Sequence, residues 1–260
     1  GRFENGTSVD AGWIDTMREP RLAYQALVMK ILSDHRSPNF SDLTIRVGFV
    51  VLHFTAASLE RTLKIFKDPS SEVSSHLVID RDGSVYELVD CMNGEAKRAW
   101  HAGRSRYEAL RGSERVSVDG FNDCSIGIEL VNLNGNLFRY TERQYAALFR
   151  TIETLKRLYP ALNDPDSVVG HEHIAGFRGK SDPGRCFEWS RLYAVCFAGQ
   201  GTPDRQALCS ELLSQRMRAL VQVAGISYDE ERGEVACPGD LGAEFFSSLS
   251  SLCEAALSRE

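Results

Sequence analysis

Val47-Gly48-Phe49-Val50-Val51-Leu52-His53 is a seven-residue run with a single polar side chain, and that one stands at its end. Its length and β-branched content predict a strand. The lack of polar alternation predicts that both faces are covered, as in a sheet sandwiched between helices. Moving outward, Ser58 is placed to cap a short helix carrying Leu59, Leu63 and Phe66 on one face. The stretch HLVIDRDGSVYELV, residues 76–89, sets two β-rich runs around Asp82-Gly83 and reads as a hairpin. A further strand is predicted over 125–133, SIGIELVNL. Thr141 and Gln144 stand in capping-box spacing ahead of Tyr145, Leu148, Ile152, Leu155 and Leu158, whose three- and four-residue steps predict a helix stopped by Pro160. A last short strand at 167–170 leads into a long polar loop that ends near Trp189.

Farther out the pattern changes. Residues 1–20 read as a loose arm, and LAYQALVMKILSD, from Leu22 to about Asp34, as an amphipathic helix. Gly199-Gln200-Gly201-Thr202-Pro203 reads as a linker. Two helical patterns follow, one through Leu208, Leu212, Leu213 and Leu220, the other through Leu241, Phe245, Leu249 and Leu252. The expected organisation is an arm and helix over 1–44, an α/β domain over 45–199, and a small helical addition over 200–260.

Composition narrows the functional classes. With 260 residues, 43% hydrophobic and 25% charged, the chain can bury a full core. A net charge of −6 with no basic stripe gives no nucleic-acid footprint. No apolar run approaches the roughly 18–20 residues of a membrane span. The chain starts at Gly1 rather than Met, so a trimmed leader is compatible with it. Seven cysteines, none in a CxxC pair, leave open disulfides in an oxidising compartment or buried thiols.

The chemistry-bearing residues stand at strand ends and in a loop. His53 closes the first buried strand, His171 follows another in VVGHEHIAG, and Asp182 lies eleven residues later in GKSDPG. Two imidazoles and a carboxylate give zinc three protein ligands and leave a fourth position open, the catalytic arrangement. Each histidine alone is more often a hydrogen-bonded core or rim residue than a ligand, so spacing by itself reads only as a possible metal site. HExxH is absent, since Ala175 stands three beyond Glu172. Glu129 is a carboxylate inside the apolar run Ile126-Gly127-Ile128-Glu129-Leu130-Val131. Alternation puts it on the face opposite Ile128 and Leu130, beside Gly127, where a ligand or another backbone has room to approach. It is either a solvent-facing glutamate on an edge strand or a desolvated general base. Lys180, two before Asp182, is either a loop lysine or a cation that stabilises an oxyanion.

Five blocks carry a resemblance: VVLHFTA, VSSHLVIDRDG, AWHAG, NDCSIGIELVN, and VVGHEHIAGFRGKSDPG closing on Phe187-Glu188-Trp189. In that order, over about residues 45–192, they resemble the type 2 N-acetylmuramoyl-L-alanine amidases, the AmpD-like group that shares its fold with peptidoglycan recognition proteins. The resemblance implies a central mixed sheet flanked by helices. It also implies a groove above the sheet with one zinc ion on His53, His171 and Asp182, Glu129 as catalytic glutamate and Lys180 on the oxyanion side. It places Trp100, His101 and Asn122 along the groove, against sugar or peptide. The implied activity is hydrolysis of the bond between N-acetylmuramic acid and L-alanine in peptidoglycan or muropeptides. Non-catalytic recognition of peptidoglycan is the alternative, and a peptidase cutting within the stem a third reading. The expected location is the periplasm or cell envelope, or else the cytoplasm for an enzyme recycling anhydro-muropeptides. Two departures stand out: the family has one residue fewer between His171 and Asp182, and Ser75 stands where phage-type relatives have tyrosine. The tail is faintly similar to a shortened peptidoglycan-binding-like module.

Overall fold

The computed structural model describes residues 30–111, 114–178, 180–205, 227–229 and 234–236. Six strands form one mixed sheet in the order β1-β5-β4-β9-β3-β10. They are β1 (Ile31–Leu32), β3 (Phe49–Phe54), β4 (Leu77–Ile79), β5 (Val85–Glu87), β9 (Ser125–Leu130) and β10 (Val168–Gly170). β4, β9, β3 and β10 run parallel, β5 is antiparallel to β4, and β1 is parallel to β5. The remaining strands pair off locally: β2 (Phe40–Thr44) with β6 (Lys97–Ala99), β7 (Arg106–Arg111) with β8 (Glu114–Asp119), and β11 (Ser227–Asp229) with β12 (Glu234–Ala236).

Period-two alternation sorts the central strands into two faces. Val50, Leu52 and Phe54 of β3, with Ile126, Ile128 and Leu130 of β9, join the larger core. There they meet Tyr145, Leu148, Ile152 and Leu155 of α2 (Glu142–Leu158), and Leu192 and Tyr193 of α4 (Trp189–Cys196). On the other face Phe49 and Val51 pack with Phe121, Val169, Ile174 and Ala175. Both faces are therefore covered, as the opening run requires, and Val50, Val51 and Leu52 have no exposed surface. A third, smaller cluster sets Leu63 and Phe66 of α1 (Leu59–Lys67) against Val78, Leu88 and Val131. Ser58 caps α1 as expected, and Gly83, at φ +85°, turns the β4–β5 hairpin.

The capping box at Thr141 forms in full. Thr141 Oγ1 accepts from the Gln144 N–H, and Gln144 Oε1 accepts from the Thr141 N–H, both at 3.1 Å. The Gln144 amide then donates to Val131 O at 2.8 Å, tying the start of α2 to the end of β9. Thr141 also donates to Arg81 O at 2.6 Å, so the hydroxyl holds two elements. Thr141→Ala is expected to cost about 1–2 kcal/mol of stability, the loss of a cap with one orphaned acceptor added. Urea unfolding checks this, and an unchanged midpoint would contradict it.

Three expectations change. The helix expected to about Asp34 does not extend that far, because Ile31–Leu32 is a strand aligned with Val85 and Tyr86 of β5. Unpaired backbone at the sheet edge outweighs the helical pattern there; residues 22–29 lie outside the described residues. The segment from Ser33 to Asn39 is also built into the domain. Ser37 donates to Phe66 O, and Asn39 Nδ2 to Asp68 O and Val73 O, closing the end of α1. The polar loop after β10 starts instead with α3 (His171–Ala175) and a 3-10 turn, Gly176–Arg178. Beyond the linker, the Arg205 side chain is only 7% exposed and donates to Tyr107 Oη, Asp166 O and Tyr193 Oη at 2.6–2.8 Å, an anchor that no sequence pattern announces. Both helical patterns expected after residue 207 lie outside the described residues, as do Cys209, Cys237 and Cys253. Among the described residues, Cys91, Cys124, Cys186 and Cys196 form no disulfide with one another.

Candidate metal centre

Parallel strands bring their carboxyl ends to one edge of the sheet, where open α/β sheets bind ligands. His53 stands at that end of β3, and His171 directly follows the neighbouring β10. Glu129 is the direct register partner of His53 on β9, so both side chains rise from the same face. β9 lies between β4 and β3, which excludes the edge-strand reading of Glu129.

Asp182 arrives from a loop that is held by its backbone. Asp182 O accepts from the Glu172 N–H at 2.9 Å, Pro183 O from Tyr140 Oη at 2.6 Å, and Gly135 O from the Cys186 N–H at 2.9 Å. Gly135 is required for this approach, since a Cβ there would sit 2.0 Å from Pro183 O. A 3-10 turn, Gly176–Arg178, prolongs α3, and Asp182 reaches both histidines.

His53, His171 and Asp182 form a possible metal-binding triad, all three buried. His53 Nδ1 lies 3.1 Å from His171 Nδ1 and 2.9 Å from Asp182 Oδ2, and His171 Nδ1 lies 3.1 Å from the same oxygen. Bonds of about 2.0–2.2 Å around a tetrahedral zinc set neighbouring ligand atoms roughly 3.3–3.5 Å apart. The triangle is one face of such a tetrahedron, drawn slightly tight, and two nitrogens with one carboxylate oxygen are donors that zinc accepts. The residues fit the ion. Burial and the facing His171 imidazole push His53 down to about 4, which keeps it neutral and able to ligate at pH 7. Burial alone would raise Asp182, but the His171 and His53 rings outweigh it and hold the carboxyl well below its usual range.

A cavity of about 260 Å³ opens beside the triad, with Glu129, Lys180, Thr55, Val73, Trp100 and His101 in its wall. Glu129 is 9% exposed, and its Oε2 makes no hydrogen bond among the described residues. Burial first and the Asp182 charge second push its pKa up to about 8, against the pull of Lys180. The site therefore holds a triangle of atoms that could ligate an ion, a carboxyl group beside it with one unsatisfied oxygen, and an ammonium on the same wall.

The three residues expected along the groove part ways. Trp100 lines the cavity. Asn122 does not; its Oδ1 accepts from the His101 and Ala102 N–H groups at 3.1 and 2.8 Å and so braces the 100–103 loop. His101 touches the cavity, yet its ring nitrogens face His53 and Ser125, a contact that sequence spacing cannot reveal. The room beside Gly127 is taken by side chains, for a Cβ there would lie 2.5 Å from His101 Cγ and 2.9 Å from Ser75 Oγ.

Comparison with known proteins places this geometry. Residues 43–185, more than half of the chain, match the family model described as N-acetylmuramoyl-L-alanine amidase. A 1,6-anhydro-N-acetylmuramyl-L-alanine amidase AmpD from Enterobacter cloacae is 42% identical over 123 residues, 47% of this chain and 57% of that protein. The chain thus spans little more than half the length of the AmpD relatives it matches. N-acetylmuramoyl-L-alanine amidase A from Achromobacter lyticus is 25% identical over 172 residues, 64% of this chain and 93% of the other. A crystal structure of an AmpD derivative superposes with a TM-score of 0.50 at 28% identity, covering 73% of this chain and 99% of that one.

Proposed function

The chain belongs to the N-acetylmuramoyl-L-alanine amidase family, and from that premise we propose that it hydrolyses the amide joining the muramyl lactyl group to L-alanine, in peptidoglycan or its soluble fragments. His53, His171 and Asp182 would hold one zinc ion. The observation that carries the reading is the triangle of two imidazole nitrogens and one carboxylate oxygen, 2.9–3.1 Å on each side, with the unsatisfied Glu129 beside it.

A bound zinc ion supplies Lewis-acid chemistry, polarising a carbonyl oxygen and acidifying water at neutral pH. The chain's own residues handle the proton and the pose. Glu129 accepts the proton of the attacking water at a carboxylate oxygen and returns it to the alanine nitrogen as the C–N bond breaks. One carboxylic acid and one amine leave, and Glu129 ends as it began. Burial favours its protonated form while Lys180 favours the carboxylate, and that opposition suits a group that takes and returns a proton near neutral pH. Lys180 adds positive charge on the side where the oxyanion develops. Trp100 and Val73 offer an apolar wall for the ring or methyl groups of the substrate. The AmpD relatives are named for the 1,6-anhydro form of the sugar, which makes anhydro-muropeptides the first soluble substrates to assay.

Incubation with purified sacculi and with anhydro-muropeptides, read by mass spectrometry, tests the proposal. The expected products are peptides headed by a free L-alanine amino group, and their release should stop when a chelator removes the metal. Binding to sacculi without release would make the chain a recognition protein. New amino termini other than L-alanine would make it a stem peptidase.

A further inference from the structure

We propose that Ser74 is a positioning residue for the substrate: its hydroxyl fixes Trp100, and with it the apolar wall of the cavity, in the pose that binds. The inference rests on this cavity being the substrate site, and it adds a residue that acts from behind the wall.

Trp100 stands one residue beyond β6, and Ser74 takes hold of both its main-chain groups. The Ser74 N–H donates to Trp100 O at 3.0 Å, and the Trp100 N–H donates to Ser74 Oγ at 3.2 Å. The hydroxyl has one hydrogen, which goes to Asn39 O, a group that can only accept. Its lone pairs are thereby left to face Trp100. The same Asn39 donates from Nδ2 to Val73 O at 2.9 Å, so Val73, Ser74 and Trp100 are tied to one buried residue. Asn39 is itself held, its N–H donating to Ser37 Oγ at 3.1 Å and its Nδ2 to Asp68 O at 2.9 Å. None of these bonds involves His53, His171 or Asp182.

Val73, Ser74 and Trp100 all line the cavity, and Asn39 does not. Val73 is 42% exposed, an apolar side chain kept open on a main chain that is fastened on both sides. Apolar surface that is already ordered costs nothing to arrange when a ligand docks on it, and that preorganisation strengthens binding. Without the Ser74 hydroxyl, Trp100 keeps one main-chain hold instead of two, and the substrate has to order the wall. That cost falls on the bound ground state and the transition state alike. It therefore raises KM and leaves kcat in place.

The test measures KM and kcat on a soluble anhydro-muropeptide for the wild type, Ser74→Ala, Trp100→Ala and the double variant. Ser74→Ala should raise KM about 3–10-fold and keep kcat within about twofold. A group that merely supports the fold would reduce the active fraction, lowering kcat at constant KM. Thr141→Ala, which loses a hydroxyl tie of the same kind away from the cavity, should leave KM within about twofold of the wild type. On top of Trp100→Ala, Ser74→Ala should add less than about twofold to KM, because the side chain it positions is gone. A KM that Ser74→Ala does not move, or its full effect on top of Trp100→Ala, would overturn the assignment. Should Ser74→Ala not fold, hydrogen exchange at the Trp100 amide of the wild type decides the question. Protection supports the clamp, and exchange as fast as in an open loop sinks it. A wild type that binds the muropeptide without cleaving it would refute the amidase reading, and the same ratios, read in Kd, then decide the role of Ser74. A wild type that neither binds nor cleaves it would refute both.

Discussion

Glu129→Ala is expected to lower turnover by about 10²–10⁴-fold and to leave the zinc content of the protein unchanged, the loss that follows when a general base is removed and the metal ligands are kept. The geometry separates the two effects. Glu129 contributes no atom to the ligand triangle, and it projects from the carboxyl end of β9, a strand paired on both sides, so its loss leaves the ligands in place. A fall of less than about tenfold would mean that another group takes the proton, and loss of zinc would make Glu129 part of the metal's support. The isosteric Glu129→Gln adds a readout free of catalysis. In the metal-free protein the carboxyl is raised from 4.5 to about 8. Between those values the native state keeps a proton that the unfolded chain has given up. The group's contribution to stability is therefore complete at low pH and is lost as pH rises through that window. Glu129→Gln should remove this slope. Parallel stability–pH curves for the two proteins would show that the burial of Glu129 is misread.

What could be read in advance was whatever depends on local pattern. The uniform run 47–53, the turn at Gly83, and the Thr141 and Ser58 caps all formed because each is satisfied within a few residues or by burial on both faces. The central sheet follows from those elements, since parallel strands need the crossovers that α1 and α2 supply. Ile31–Leu32 was misread because its structure is decided by an unpaired edge fifty residues away. In the site, His53, His171 and Glu129 stood out as polar residues at the ends of, or inside, apolar strands, and Asp182 in the polar loop that follows His171. Their convergence is a property of strand order. The roles of His101 and Asn122 could not be separated from those of groove residues. Their partners, His53 Nε2 and two backbone N–H groups, become neighbours only when the 100–103 loop is laid across the end of β9.

Asp182→Ala is expected to weaken zinc binding by more than about 100-fold, beyond the 10–100-fold that outer partners of a ligand contribute. Turnover should fall with it and return in part when zinc is added in excess, because a weakened site refills by mass action. That recovery distinguishes it from Glu129→Ala, which keeps its metal and gains nothing from more. The loss should reach the site through the carboxylate alone. Residues 182–186 are fastened by main-chain groups, Asp182 O to Glu172, Pro183 O to Tyr140 and Cys186 N–H to Gly135, and none of these involves the side chain removed. Nor does the substitution strand a buried charge. His53 without Asp182 is a neutral imidazole with one nitrogen bare, so the metal-free fold should survive. Unchanged zinc content in a folded Asp182→Ala protein would move the third ligand elsewhere. Glu129 and Glu172, the two buried carboxylates whose acidity the Asp182 charge already perturbs, would be the first to test.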